Sequence, residues 1–314
     1  MIEVKEITGK KELRKFVTFP FKLYKDNPYW VPPIIKEELN SFDPKINPVF
    51  EHAQARFFLA LKNGEIVGRV AAITNQFEIQ QQKVKKMRFG WLDFIDDKAV
   101  SKALLDQVAE IGKEEKLEFM EGPVGFSNMD KVGILTEGYD YLGSMVTWYN
   151  YPYYVDHMQA HGFWPEKKFL ESYFFVKDAE IDKYHRMAQI ISKRYELTPV
   201  SFSRSKDVMP YVNEIFELFN TSYSKLSSFV PISDKQIAYF KEKYIGFINP
   251  DFIKVILDKN KRIIAFGITM PSFARALQKS KGRLFPFGFI HLLRARKNSK
   301  ESIFYLIGIA PEYQ

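Results

Sequence analysis

Residues 57–75 read FFLALKNGEIVGRVAAITN. Two apolar runs flank Lys62-Asn63-Gly64-Glu65. Asn-Gly between such runs is the strongest short-range sign of a hairpin, because both central residues of the tight turn need φ > 0. Residues 254–272, KVILDKNKRIIAFGITMPS, repeat the unit. Lys259-Asn260 stand where the first stretch has Lys62-Asn63, and Ile263-Ile264 where it has Ile66-Val67, at an offset of 197 residues. Gly64 becomes Lys261, so the second turn is expected to be chemically weaker. Upstream of each hairpin stands the same preamble. Ile2 to Ile7 alternates apolar and polar residues, the period of a half-buried strand. A helical run follows, with Leu13, Phe16, Val17 and Phe21 on one face. Val200, Phe202 and the run from Val208 to Leu226 repeat that order, and Phe247-Ile248-Asn249-Pro250 leads into the second hairpin. The expectation is two diverged copies of one strand–helix–hairpin unit.

After the first strand and helix, Leu23 to Pro33 carries three prolines and reads as a rigid aromatic loop. Met87 to Ile95 reads as a strand, and Asp96-Asp97 cap a helix with Ala99, Ala103, Leu104, Val108 and Ile111 on its apolar side. Leu117 to Pro123 is the next strand and its stop. The five glycines from Gly122 to Gly143 follow no phosphate-loop spacing. Tyr149 to Phe163 is expected to hold a helix with Pro152 in its first turn and Gly162 at its end. His157 and His161 share a face of that helix, but no third ligand stands near them, so no metal site is expected. Phe169 to Val176 reads as a strand closing the first half, and Ile181 to Tyr195 as a linking helix. The last strand is Ser302 to Ile309, followed by Ala310-Pro311-Glu312-Tyr313-Gln314.

Composition narrows the function classes. Aromatic residues make up 16% of the 314, which excludes a disordered chain. There are no cysteines, which excludes disulfides, zinc-thiolate sites and a cysteine nucleophile. Met1 to Lys15 has no apolar core, so it is no secretory signal. The uncharged apolar run Leu284 to Leu293 is too short to cross a bilayer. A soluble, cytoplasmic protein without a transmembrane segment is the expectation. The net charge of +8 is uneven. Residues 273–300 contain Arg275, Lys279, Lys281, Arg283, Arg294, Arg296, Lys297 and Lys300, and no acid. Such a segment attracts an anionic partner or forms a solvated basic helix face.

The order strand, helices, hairpin, strand, helix, strand, helix, strand resembles the GCN5-related N-acyltransferase (GNAT) fold. In that family a central strand ends in V-x-P-x-x-[QR]-x-x-G-x-[GA], and the helix after it takes the pyrophosphate of acetyl-CoA on backbone N–H groups. Ile309-Ala310-Pro311-Glu312-Tyr313-Gln314 resembles the first six positions. The first copy's strand instead ends Trp91-Leu92-Asp93-Phe94-Ile95-Asp96-Asp97, and an Asp pair there would repel a pyrophosphate. Asn150 and Gly162-Phe163 match the ends of the family's late N…Y-x-x-x-G-F helix, but the position of its acidic tyrosine falls on Met158, which cannot donate a proton. Tyr153 and Tyr154 lie one turn earlier. The stretches LYKDNPYWVPP, GPVGFSNMDKVGILTEGYD, YNYPYYVDHMQAHGF and GITMPSFARALQKSKGRLFPFGF resemble an uncharacterised bacterial family of tandem GNAT-like proteins.

The resemblance implies an α+β (α/β) fold of two tandem acyl-CoA N-acyltransferase-like domains, each a mixed, mainly antiparallel twisted sheet flanked by helices. A degenerate N-terminal copy would span 1–178, a linker helix 179–197, and an incomplete C-terminal copy 198–314. About 60 further residues would complete the second copy on the repeat arithmetic, so the chain is expected to be a truncated, inactive form. The implied activity is acyl transfer from acetyl-CoA or another acyl-CoA to a small-molecule amine, with no metal. Ile307, Gly308, Ile309 and Gln314 would meet the CoA. No catalytic residue is identified. Asp258 and Glu312 are the carboxylates of the region and read as solvated charges. The alternative is a non-catalytic protein that binds RNA or a membrane surface through residues 273–300.

Overall fold

The computed structural model describes residues 1–226, 228–245 and 248–314, with the side chains of Tyr244 and Ile245 outside the description. Phe247 of the expected lead-in to the second hairpin therefore lies outside the described residues. In chain order the elements begin with β1 (Ile2–Ile7), α1 (Lys10–Leu23), α2 (Ile35–Ser41), β2 (Ala53–Lys62), β3 (Glu65–Asn75) and α3 (Gln76–Gln80). They continue with β4 (Lys86–Phe94), α4 (Lys98–Glu114), β5 (Phe119–Glu121), α5 (Tyr153–Ala160), α6 (Ile181–Arg194), β6 (Thr198–Ser201) and α7 (Ser205–Val208). Last come α8 (Val212–Tyr223), α9 (Asp234–Phe240), β7 (Ile253–Leu257), β8 (Ile263–Pro271), α10 (Ala274–Ser280), α11 (Gly288–Asn298) and β9 (Ser302–Ile309). Two sheets form, ordered β1-β2-β3-β4-β5 and β6-β7-β8-β9. Every neighbouring pair is antiparallel except β4 with β5, which is parallel. The fold is mixed α+β with two helix-flanked sheets, as expected.

One compact unit comprises residues 1–165 and 272–299. Its central strands are buried on both faces, so consecutive residues feed opposite cores. Phe58, Val70, Ala72 and Phe89 meet Leu104 and Val108 of α4 and Tyr154 of α5. Leu59, Ala71, Ile73 and Trp91 meet Phe16 and Val17 of α1. The buried side of α4 begins at Val100 and Ser101, one position past the expected Ala99, which is exposed. A third cluster joins Val31 to Phe273, Ala274, Leu277 and Leu292 of the basic segment. Gln278 locks that docking by donating to the carbonyls of Pro28 (2.8 Å) and Trp30 (3.0 Å).

The other unit comprises residues 166–271 and 300–314. Here α8 buries Val212, Ile215, Leu218 and Phe219 and packs on β8 and β9. Two expectations are corrected. Phe169 to Val176 is not a strand: it joins no ladder among the described residues, and Leu170 is 93% exposed. An extended segment is a strand only where a ladder takes its N–H and C=O groups. The hairpins also differ in turn type. In the first, Asn63 and Gly64 both have positive φ (54° and 80°) and Lys62 pairs with Glu65. In the second, three residues follow Asp258 and only Lys261 has positive φ (62°). Asp258 is no solvated charge: it is buried and accepts from the backbone N–H of Asn260 (2.8 Å) and Arg262 (2.9 Å).

Candidate functional site

The ladder registers of the two sheets can be compared position by position. Gly68 faces Phe94 and Arg69 faces Asp93 in the first sheet. Ala265 faces Ile309 and Phe266 faces Gly308 in the second. Gly68 and Ala265 are separated by the same 197 residues as the hairpins, so Asp93 corresponds to Gly308 and Phe94 to Ile309. At one such pair a charged couple spans the strands. At the other the Phe266 ring stands over a glycine, and a Cβ on Gly308 would strike that ring.

Three of the expected CoA residues lie on β9, the edge of its sheet among the described residues. The N–H of Ala310 turns inward to the Ile264 carbonyl (2.8 Å). Backbone groups alternate along an antiparallel strand, so Ile307 and Ile309 turn theirs outward. Their carbonyls bear this out. Tyr223 donates to that of Ile307 (3.0 Å), and the Gln314 amide to that of Ile309 (3.0 Å), with the Ser222 hydroxyl also at 3.0 Å. Burial raises the pKa of Tyr223, which keeps it a donor. The carbonyls are thus capped, while the outward N–H groups of Ile307 and Ile309 face no strand. Ile307, Gly308, Ile309 and Gln314 are therefore neighbours, and Gln314 closes the short turn Pro311–Tyr313 back onto the strand.

The equivalent end of β4 is filled by the chain's own side chains. Arg69 binds Asp93 through Nε (2.8 Å) and NH2 (2.7 Å), and reaches the Phe16 carbonyl through NH1 (2.9 Å). Tyr24 donates to Asp93 (2.9 Å), so the 3.0 Å contact between the two tyrosine hydroxyls is donated by Tyr154. Tyr154 in turn accepts from the N–H of Phe94 (3.2 Å), and Tyr153 donates to the Phe94 carbonyl (2.5 Å). Burial, reinforced by the Asp93 charge, drives the pKa of Tyr24, Tyr153 and Tyr154 well up, so all three stay protonated. What space remains is a cavity of about 20 Å³ lined by Trp91, Asp93, Pro123, Asn150 and Tyr154, room for one water. The start of α4 is occupied as well. Asp97 accepts from the N–H of Ala99 (2.9 Å) and pairs with Lys62 (2.8 Å). Asp96 accepts from His157 Nε2 (2.9 Å).

The two histidines of α5 converge on one hydroxyl. Ser101 Oγ lies 2.9 Å from His157 Nδ1 and 2.8 Å from His161 Nε2. The same hydroxyl lies 3.2 Å from the Lys98 carbonyl, to which it can donate. Nearby on the first unit, Trp91 donates its indole N–H to Glu38. Asp130 accepts from the Ser127 N–H (3.0 Å), and its pKa is pushed up to about 6 by burial, with Glu38 adding repulsion. Sequence reading did not single out Arg69, Asp93 with Tyr24, or Ser101 as a set. The signal was present for two of them: an Arg and an Asp inside apolar strands must find partners.

No family model matches the chain. It is 26% identical over 314 residues to protein YghO of Escherichia coli, covering 99% of this chain and 79% of that one. It is 25% identical to a bacterial ceramide synthase of Caulobacter vibrioides over 96% of this chain and 79% of that one. Among solved structures, a tandem GNAT protein from the clavulanic acid biosynthesis pathway aligns with all of this chain and 81% of its own, at 9% identity and a TM-score of 0.47. Other solved structures that it resembles include a putative acetyl transferase of Pyrococcus furiosus (13% identity, 55% of this chain and 100% of that one, TM-score 0.35), and the likeness is to a GNAT-like fold.

Proposed function

We propose that the protein is an acyl-CoA-dependent N-acyltransferase descended from a duplicated GNAT-like unit, with copies at 1–178 and 198–314 joined by the helix between them. The donor would lie along β9. The observation that carries this reading is the outward main chain of Ile307 and Ile309, which meets no neighbouring strand among the described residues. Amide donors aimed at a thioester carbonyl would stabilise the oxyanion that forms when an amine attacks it. Gly308 keeps that rim low, because Phe266 occupies the space a side chain would need. The amine lone pair forms the new C–N bond, the C–S bond breaks, and the thiolate leaves with the proton shed by the amine. The first unit, its strand end closed by tyrosines and Asp93, would hold the fold and bind no donor.

The acceptor class draws support from the Caulobacter relative. A ceramide is the amide of a long-chain amino alcohol, so its synthesis is N-acylation of a lipid amine. The test is thiol release by the full-length protein from acyl-CoAs of graded chain length, with and without a long-chain amino alcohol. Amine-dependent CoA release with amide detected by mass spectrometry is the expected result. No release with any donor, together with no heat of acyl-CoA binding in calorimetry, would overturn the reading.

A further inference from the structure

We propose that the helical pair α10–α11 docks the protein on an anionic phospholipid surface through the loop 284–289. The loop is Leu-Phe-Pro-Phe-Gly-Phe. Phe285 is 77% exposed, Phe287 70%, and Leu293 one turn into α11 52%. Phe289 shares a face of α11 with Leu293, four residues on, and its ring lies 5.8 Å from that of Phe285. Soluble proteins expose single apolar side chains often, but a contiguous aromatic knob is rare without a partner. The knob is part of a firmly built element. Leu292 faces inward beside Phe273, Ala274 and Leu277, Ile35 donates to the Gly282 carbonyl (2.9 Å), and a Cβ on Gly288 would strike the Arg283 carbonyl.

The charges around the knob name its partner. Residues 273–300 hold eight basic residues and no acid. Lys281, Arg283, Arg294 and Lys297 are exposed and flank the aromatic stretch in the sequence. An apolar tip flanked along the chain by exposed cationic side chains matches the boundary between anionic headgroups and acyl chains, where rings insert and cations stay at the headgroups. Single-stranded RNA fits less well. Base stacking needs rings that are free on their faces and spaced along a groove. Here two of the rings pack on each other, and Leu293 and Pro286 offer nothing to a base. The surface belongs to the first compact unit and stands apart from the acyl-transfer reading.

The experiment is co-sedimentation of the full-length protein with extruded vesicles of phosphatidylglycerol and phosphatidylcholine, and with pure phosphatidylcholine. The expected result is partition onto the anionic vesicles only, weakened by 0.5 M salt. The Phe285→Ser/Phe287→Ser double variant, whose side chains are exposed and whose fold circular dichroism checks, is expected to bind about tenfold more weakly or worse. Arg294→Glu is expected to weaken binding at low salt and to change little at high salt. Hydrogen exchange of the unaltered protein on vesicles is expected to slow selectively in residues 283–294. Protein that stays in the supernatant, equal binding to both vesicle types, an unaffected double variant, or no change in exchange would overturn the proposal. So would tight binding to a labelled single-stranded RNA that Arg294→Glu abolishes and the phenylalanine changes leave alone.

Discussion

Asp93 and Arg69 show what a charge costs inside a sheet and how the chain offsets it. Both lie in buried strands, 8% and 4% exposed, and each satisfies the other. Removing one leaves the other desolvated and unpaired, so Asp93→Ala is expected to lose about 3–5 kcal/mol in denaturant unfolding. Replacing both partners, as Arg69→Met with Asp93→Leu, is expected to cost less than that single change. Asp130 behaves oppositely. Its pKa is raised, so the stability it lends is complete below about pH 4 and is lost as the pH rises through about 6. Asp130→Asn keeps an oxygen for the Ser127 N–H and is expected to gain about 1 kcal/mol at pH 7.5 for this partly exposed group, with a flatter pH profile of the unfolding midpoint. An acid in Trp91-Leu92-Asp93-Phe94 was legible as an anomaly from sequence. Its tyrosine partner was not, because Tyr24 comes from 69 residues away and only the folded register selects it.

At the level of the element, the hairpins and the last strand were readable because they rest on local rules: alternation, turn residues and a proline stop. The type of the second turn was not readable. It depends on Asp258 folding its carboxylate back onto two N–H groups and the Arg262 guanidinium (3.0 Å), which no turn dipeptide announces. The hydrogen bonds from Arg262 and Asn260 hold the Asp258 pKa below its ordinary value. Its contribution is therefore present above about pH 4 and lost as the pH falls through that lowered value. Asp258→Ala is expected to lower the melting temperature at pH 7 and to have a smaller effect at pH 3, as scanning calorimetry would register. On β9, Ile309→Pro deletes an outward N–H and no ladder bond, a change an edge strand accepts. Under the acyl-transfer reading it is expected to keep the circular dichroism spectrum and to reduce acyl-CoA affinity up to about tenfold, the loss of one main-chain hydrogen bond. A spectrum and an affinity both unchanged would place the donor elsewhere.

For the molecule as a whole, the recurring hairpin pattern was visible in the sequence, but the spatial division into compact units was not. The compact units cut across the divisions at 178 and 198, because residues 272–299 leave the second sheet between β8 and β9 and fold with the first unit. Sequence marks α11 as basic and amphipathic, yet which core receives its apolar side is decided by tertiary contacts alone. A fragment ending at residue 178 would uncover Val31, Ile34, Leu142 and Met145. It is expected to melt at least several degrees below the intact protein, and adding residues 272–299 through a flexible tether is expected to recover part of the difference.

That excursion bears on how such a gene can change. The polypeptide passes from one unit to the other at 165/166, again at 271/272 and again at 299/300. A single recombination breakpoint anywhere along it therefore severs at least one unit from part of itself. Swapping one lobe for a relative's requires three coordinated junctions, so the two lobes are inherited, and must drift, as a bonded pair.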